Sequence, residues 1–295
     1  MSELVSFIKS GRKPVIGMVQ LGPLPGSSRY KGGRIDGILD EALQEAQTLS
    51  SGGFDVLMVQ NLGDLPVDGR ATSAQIAWMT RVAVEIRSRF SGPVGLNLLE
   101  NDAEAMFAVA SAAGADFVRI KVYVGAMMTP FGVEGGQAFA AIRARNACDA
   151  QDVAIFADVH DRTGSPIASG GFAEDVEYAI RLGGADGLVL TGKTYEETLA
   201  FIDVARKRIG AAPIVVGGGV SAKNFAEVAG VADGVIVSSS LKDSNDAFGR
   251  LAPAKHRPCS DPRKRAPGLA PLHGSPPRTG PMRPAAASPA SGPLA

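Results

Sequence analysis

A chain of 295 residues with 45% apolar content and a mean hydropathy of +0.09 has room for one large domain or two small ones and is too apolar to be disordered throughout. No apolar run approaches the roughly 18 residues a membrane helix needs, and the opening "MSELVSFIKSGRK" lacks the long apolar centre of a secretory signal, so a cytoplasmic protein with no transmembrane segment is expected. A formal charge of zero leaves no footprint for nucleic acid, and Cys148 and Cys259 are too few and too far apart for a disulfide framework or a metal knuckle.

Eight apolar runs follow one another along the chain: 15–21, 52–61, 94–99, 114–122, 154–159, 184–192, 214–219 and 231–240. Four of them share a small-residue corner and an aspartate ahead of the strand: "GGFDVLMVQN", "GADFVRIKV", "GADGLVLTG" and "VADGVIVSSS". Unbroken apolar runs are what strands covered on both faces require. Amphipathic stretches separate them at 35–50, 72–90, 102–113, 137–150, 173–182, 195–209 and 222–229, with Asn101, Thr194 and Ser221 as N-cap candidates. Seven helices between eight strands predict a (β/α)8 TIM barrel over residues 1–251.

The eighth helix is missing from the pattern. After the last strand, "KDSNDAFGRL" allows two turns at most before Pro253. Residues 252–295 hold eleven of the nineteen prolines and seven of the thirty basic residues against one acid, Asp261, which predicts a disordered tail. A barrel without its last helix is expected to leave the outer faces of its eighth and first strands bare. A second subunit, making a homo-oligomer, or the apolar segment Leu4 to Ile8 would then have to cover them.

Chemistry in such a barrel sits at the C-terminal ends of the strands. The first strand ends in Gln20 and opens a long loop. The second delivers Gln60 and Asn61, the third Asn97 and Glu100, the fourth Arg119 and Lys121, the fifth Asp158, His160 and Asp161, the sixth Thr191 and Lys193. Polar groups within apolar strands are costly unless paired or used. Period-2 geometry sends Arg119 with Lys121, and Asp158 with His160, to one face. His160 is the only histidine before the tail, so it is the sole imidazole for proton transfer near neutral pH, with Asp158 as its partner. Lys121 or Lys193 would stabilise developing negative charge, and a Lys193 of depressed pKa could also form a Schiff base. Gln60, Asn61, Asn97, Glu100 and Arg119 are the candidate substrate readers. An Arg119–Asp158 ion pair is an equally good structural reading. Asp158, His160 and Glu100 could hold a divalent metal, but three ligands from two strands have no diagnostic spacing, and no cofactor is expected.

The last two strands end differently. Gly217, Gly218 and Gly219 follow the seventh, and Ser238, Ser239 and Ser240 follow the eighth. Free backbone N–H groups and hydroxyls at adjacent strand ends suit a phosphate. Alternatively, the glycines only permit a tight turn.

"VIGMVQLGPLPGSSRY", "FVRIKVYVGAMM" with "GVEGG", "FADVH", "GLVLTGKT", "VVGGGV" and "GVIVSSSLKDSND" together resemble the BtpA/SgcQ family, over about residues 15–250. The resemblance implies a phosphate-binding TIM barrel. It also implies a relative tied to photosystem I biogenesis or stability, and other relatives among sugar- or nucleoside-related genes. Two departures stand out: the family's final helix gives way to the proline-rich tail, as a frameshift or fusion would produce, and Pro130 stands where a polar residue is expected. Two functions compete. One is acid/base chemistry on a small phosphorylated metabolite, a sugar phosphate or nucleotide-like compound. The other is a non-catalytic factor that assembles a membrane complex, by peripheral association.

Overall fold

The computed structural model describes residues 1–252 except 34 and 100; the predicted disordered tail and the domain boundary beside it therefore lie outside the described residues or at their edge. Eight parallel strands close into a barrel in the order β1 (Val15–Gln20), β11 (Gly234–Val237), β10 (Ile214–Val216), β9 (Gly187–Leu190), β7 (Ala154–Asp158), β4 (Phe117–Ile120), β3 (Val94–Asn97) and β2 (Val56–Gln60). The helices between them are α2 (Ile35–Ser51), α3 (Ser73–Arg89), α4 (Ala103–Ala113), α5 (Ala138–Ala147), α6 (Phe172–Glu177, running on into a π-helical turn at Tyr178–Leu182), α7 (Tyr195–Ile209) and α8 (Phe225–Val231). The (β/α)8 expectation holds strand by strand.

The caps show why some boundaries moved. Thr194 caps α7 as expected, its side chain accepting from Glu197 N. The residue capping α4 is Asp102, not Asn101, because the Asn101 amide is spent on the Val122 backbone across the sheet. At α8 the N-cap is Asn224, whose side chain accepts from Ser221 N.

Two apolar layers follow from the two faces of each strand. The inner one contains Ile16, Met18, Met58, Val189, Val215 and Ile236 around Phe117 and Phe156, whose rings meet edge to face at 5.7 Å. A short helix that the strand pattern did not announce, α1 (Glu3–Lys9), adds Leu4, Val5 and Ile8 to this inner layer. The segment therefore closes the barrel interior instead of covering an outer wall, which corrects the expected docking of Leu4 to Ile8.

The outer wall by β11 and β1 is not bare either. A 3-10 turn at Ser239–Leu241 follows β11, Lys242 bridges to Leu251, and no α-helix follows β11 among the described residues. Even so, the outward side chains of Val15, Val19, Val235 and Val237 are at most 2% exposed. From α2 and the loop after it, Leu49 and Phe54 press so close that a methyl on Gly17 would lie 3.0 Å from each. The buried Lys242 ion-pairs with Glu45 of α2 at 2.7 Å and ties down the chain beyond β11. With this wall covered, the reason for requiring a second subunit there falls away.

Candidate functional site

The loops after β4 and β7 build a small roof that sequence periodicity did not reveal. β5 (Ala126–Thr129) and β6 (Gly132–Gly135) form an antiparallel hairpin, and β8 (Ser165–Pro166) pairs with β5. Beneath the roof, at the C-terminal ends of the barrel strands, lies a cavity of about 340 Å3.

A belt of polar side chains forms its floor, set by strand register. Gln20 stands beside Gln60 and Gln60 beside Asn97. Gln60 Nε2 donates to Asn97 Oδ1 at 2.6 Å, and Asn97 Nδ2 donates to the Arg119 carbonyl at 2.9 Å. Next in the belt, Arg119 grips both oxygens of Asp158, at 2.8 and 2.7 Å. Burial pushes the Asp158 carboxyl up to about 6 against the pull of Arg119, and the same contact holds the guanidinium above its ordinary value despite its own desolvation. Their two-pronged geometry makes this an ion pair at neutral pH.

Lys121 lines the cavity from the end of β4. Burial draws its pKa down, opposed by Asp161, Asp158 and Glu134. Burial also pushes up Glu134 on β6, which Lys121 pulls back. Asp161, too, faces the cavity; its Oδ2 is 4.0 Å from Arg119 Nη2 and its Oδ1 accepts from Thr163 N at 3.0 Å.

On the opposite rim are the ends of β10 and β11. A methyl on Gly217 would lie 2.5 Å from Thr191 Oγ1 and from a Val189 methyl, so only glycine fits there. One on Gly218 would lie 3.2 Å from Arg162 Nη2, which places a guanidinium over this turn. Gly219 has φ +74, a conformation that strains other residues. Among the described residues, the N–H groups of Gly218, Gly219, Ser239 and Ser240 meet no protein acceptor, whereas Gly217 N donates to Leu190. Three buried side-chain oxygens of the cavity, Gln20 Oε1, Thr191 Oγ1 and Ser238 Oγ, also lack a partner among the described residues. Ser240 Oγ is spent on the Val220 carbonyl at 2.9 Å.

The cavity thus gathers Gln20, Gln60, Asn97, Arg119, Lys121, Asp161, Thr191, Gly217, Gly218, Gly219, Ser238 and Ser239 of the residues singled out in the sequence, whereas Asp158 and Ser240 do not line it. Others stand elsewhere. Asn61 is fully buried, donating to Asp64 at 2.8 Å and accepting from Leu99 N, and so ties the loops after β2 and β3 together. Lys193 is exposed and outside the cavity. His160 leaves the strand at φ +53, so the alternation that would keep it beside Asp158 ends at Asp158. Its Nε2 meets Asp175 Oδ2 at 2.7 Å, Ser169 donates to that oxygen at 2.6 Å, and Phe172 packs edge-on to the ring. This knot joins the two ends of the loop that carries Arg162. Glu100, the third metal candidate, lies outside the described residues.

Arg162 and Phe131 are among the cavity residues that strand-end reasoning missed. Arg162 sits four residues past the end of β7 and Phe131 at the tip of the roof hairpin, beside Pro130, which itself lines the cavity.

The family model described as BtpA family matches residues 11–257. An uncharacterised protein of Thermococcus kodakarensis is 37% identical over 78% of this chain and 87% of its own. Photosystem I biogenesis protein BtpA of Synechocystis is 36% identical over 78% of this chain and 80% of its own. Among solved structures, tryptophan synthase of Mycobacterium tuberculosis aligns with a TM-score of 0.58 and 16% identity, covering 88% of this chain and 97% of that one. N-(5'-phosphoribosyl)anthranilate isomerase of Pyrococcus furiosus aligns at 0.51 and 16%, covering 84% and 97%. KGPDC of Streptococcus mutans aligns at 0.53 and 12%, covering 84% and 96%. At these identities the likeness is one of fold.

Proposed function

We propose a function from one premise: the chain belongs to the BtpA family. In this reading the barrel mouth binds a small phosphorylated metabolite, a sugar phosphate or nucleotide-like compound. What carries it is the rim of β10 and β11, where Gly218, Gly219 and Ser239, whose N–H groups meet no protein acceptor among the described residues, the unpartnered hydroxyls of Thr191 and Ser238, and Arg162 all line the cavity. A phosphate accepts from every one of these donors, and charge-assisted bonds are the strong ones. One of the fold neighbours, an isomerase named for a phosphoribosyl compound, agrees with such a ligand.

Chemistry on the ligand falls to Lys121 and Asp161, which line the cavity, whereas Asp158 and His160 do not. A lysine whose ammonium is partly desolvated meets developing negative charge or exchanges a proton more readily than a solvated one. Asp161, facing the same space, is the carboxylate within its field. Calorimetry and thermal shift against a panel of phosphorylated metabolites test the reading; a panel that never shifts the protein, or hits that Gly218→Asp leaves untouched, overturns it.

A second reading comes from the Synechocystis relative's name: a factor for biogenesis of a membrane complex, attached peripherally. Among the described residues no helix is long and apolar enough to cross a membrane. This reading expects variants in the cavity, such as Lys121→Met, to leave a cellular assembly phenotype intact.

A further inference from the structure

The two ends of the cavity differ in chemistry, and strand order says which faces which. In the sequence of strands around the barrel, β4 stands opposite β11 and β3 opposite β10. The rim of glycines and serines is therefore across the mouth from the loops after β3 and β4, with the loop after β2 next to them. Those loops contribute Leu62, Leu65 and Leu99, and the roof adds Phe131, all lining the cavity. Phe131 is 42% exposed at the hairpin tip. An aromatic face held over a cavity and left half open has area to gain from a flat partner. Gln60 and Lys121 line the same cavity and offer polar groups to a ligand's edge.

A free sugar phosphate matches one end only. Its hydroxyls could pair with Gln60 and Lys121, but it would leave Leu62, Leu65, Leu99 and Phe131 with no apolar surface to cover them. A ligand that is anionic at one end and flat and apolar-faced at the other, with hydrogen-bonding edges, matches both.

Building on the phosphate reading, we infer that the ligand is a nucleoside monophosphate or a compound of that plan: a phosphate monoester joined through a sugar to a planar ring that stacks under Phe131. The phosphate rests on the Gly218–Ser239 side. The ring lies between Phe131 and the leucines, and its edge faces Gln60 and Lys121.

The test compares adenosine 5'-monophosphate, uridine 5'-monophosphate, ribose 5-phosphate and inorganic phosphate by calorimetry on the full chain. Wild type, Phe131→Ala, Phe131→Trp and Gly218→Asp are measured. At least one nucleotide is expected to bind about tenfold more tightly than ribose 5-phosphate, the margin a stacked ring supplies. Phe131→Ala should erase that margin while leaving ribose 5-phosphate unchanged, and Phe131→Trp should restore it. Phe131 is at an exposed tip, so an unchanged melting temperature confirms that its variants fold. If ribose 5-phosphate equals or exceeds both nucleotides, or if Phe131→Ala weakens all ligands alike, the ring is not there and the inference falls while the phosphate reading stands. If none of the four binds, or Gly218→Asp leaves their binding unchanged, the phosphate reading falls and takes the inference with it.

Discussion

Gly218→Asp is the substitution that most directly interrogates the barrel mouth. Gly218 does not occupy the left-handed region, so a side chain there strains no backbone, unlike one at Gly219 with φ +74. Its Cβ would lie 3.2 Å from Arg162 Nη2 and 3.4 Å from Arg162 Cζ and a Thr191 methyl. The nearest of these belongs to the end of a flexible side chain, which can give way. The new carboxylate would then pair with Arg162 and present its own negative charge where a phosphate is proposed to sit. A ligand would lose the Arg162 contact and at least one N–H contact, each charge-assisted bond being worth about 1.5–3 kcal/mol. The sum, about 3–6 kcal/mol, corresponds to a Kd at least 100-fold weaker at about 1.4 kcal/mol per decade. Gly218→Ala, which adds the same Cβ without the charge, should weaken binding several-fold at most. Calorimetry with a phosphorylated ligand, alongside thermal melting of the unliganded variants, separates these outcomes. Equal affinity of the Asp variant and wild type, with both folded, would show that no anion rests on this turn.

Asp158→Asn removes the charge that neutralises the buried Arg119 and should cost about 3–5 kcal/mol in urea unfolding; a variant as stable as wild type would refute a structural pair. The buried Tyr123 donates to the Gly183 carbonyl, and burial raises its pKa to about 12 from an ordinary 10. Because the folded state keeps this proton longer than the unfolded chain, its stabilisation is complete below pH 10 and is lost as pH rises toward 12. Tyr123→Phe should flatten the decline of stability between pH 10 and 12, and an unchanged slope would count against the assignment. Leu4→Ala hollows the inner layer at the point where α1 packs, for a loss of about 2–5 kcal/mol, whereas a merely tethered helix would lose almost nothing.

The barrel could be read from the sequence because each parallel strand is apolar on both faces, which leaves a run of about 4–6 hydrophobic residues with no polar alternation to mistake for a surface strand. The parts that stayed hidden are short and depend on distant partners. α1 has only three buried apolar residues, and their destination is the inside of a barrel that does not exist until all eight strands close. The roof strands are two to four residues long, two of them exposed for much of their length, so no period could mark them. The covering of the β11 wall relied on Lys242, a charged residue that simple hydrophobic reasoning places in water. Its partner Glu45 lies on a helix 197 residues away in sequence.

For the site, the question is why the residues expected at strand ends divide, with Lys121 and the glycine turn lining the cavity while Asp158 and His160 do not. Within a strand, alternation is a reliable guide, and the ion pair weighed as the structural reading of Arg119 and Asp158 is present between β4 and β7. Its authority ends with the strand. β7 stops at Asp158, and two residues later the backbone of His160 has turned to φ +53, so that the imidazole engages α6. The same turn then brings Asp161 and Arg162, whose positions no period predicts, to the cavity. One left-handed residue thus exchanges the expected histidine for a carboxylate and a guanidinium. His160, held by Asp175 and Ser169, lies on the same loop as Arg162 and fastens it to α6. Its importance to the site is therefore as the anchor of a loop, and a variant such as His160→Gln should disturb phosphate affinity through Arg162 without altering any group that touches the ligand. Calorimetry with a phosphorylated ligand checks this, and an affinity equal to wild type would refute the anchoring role.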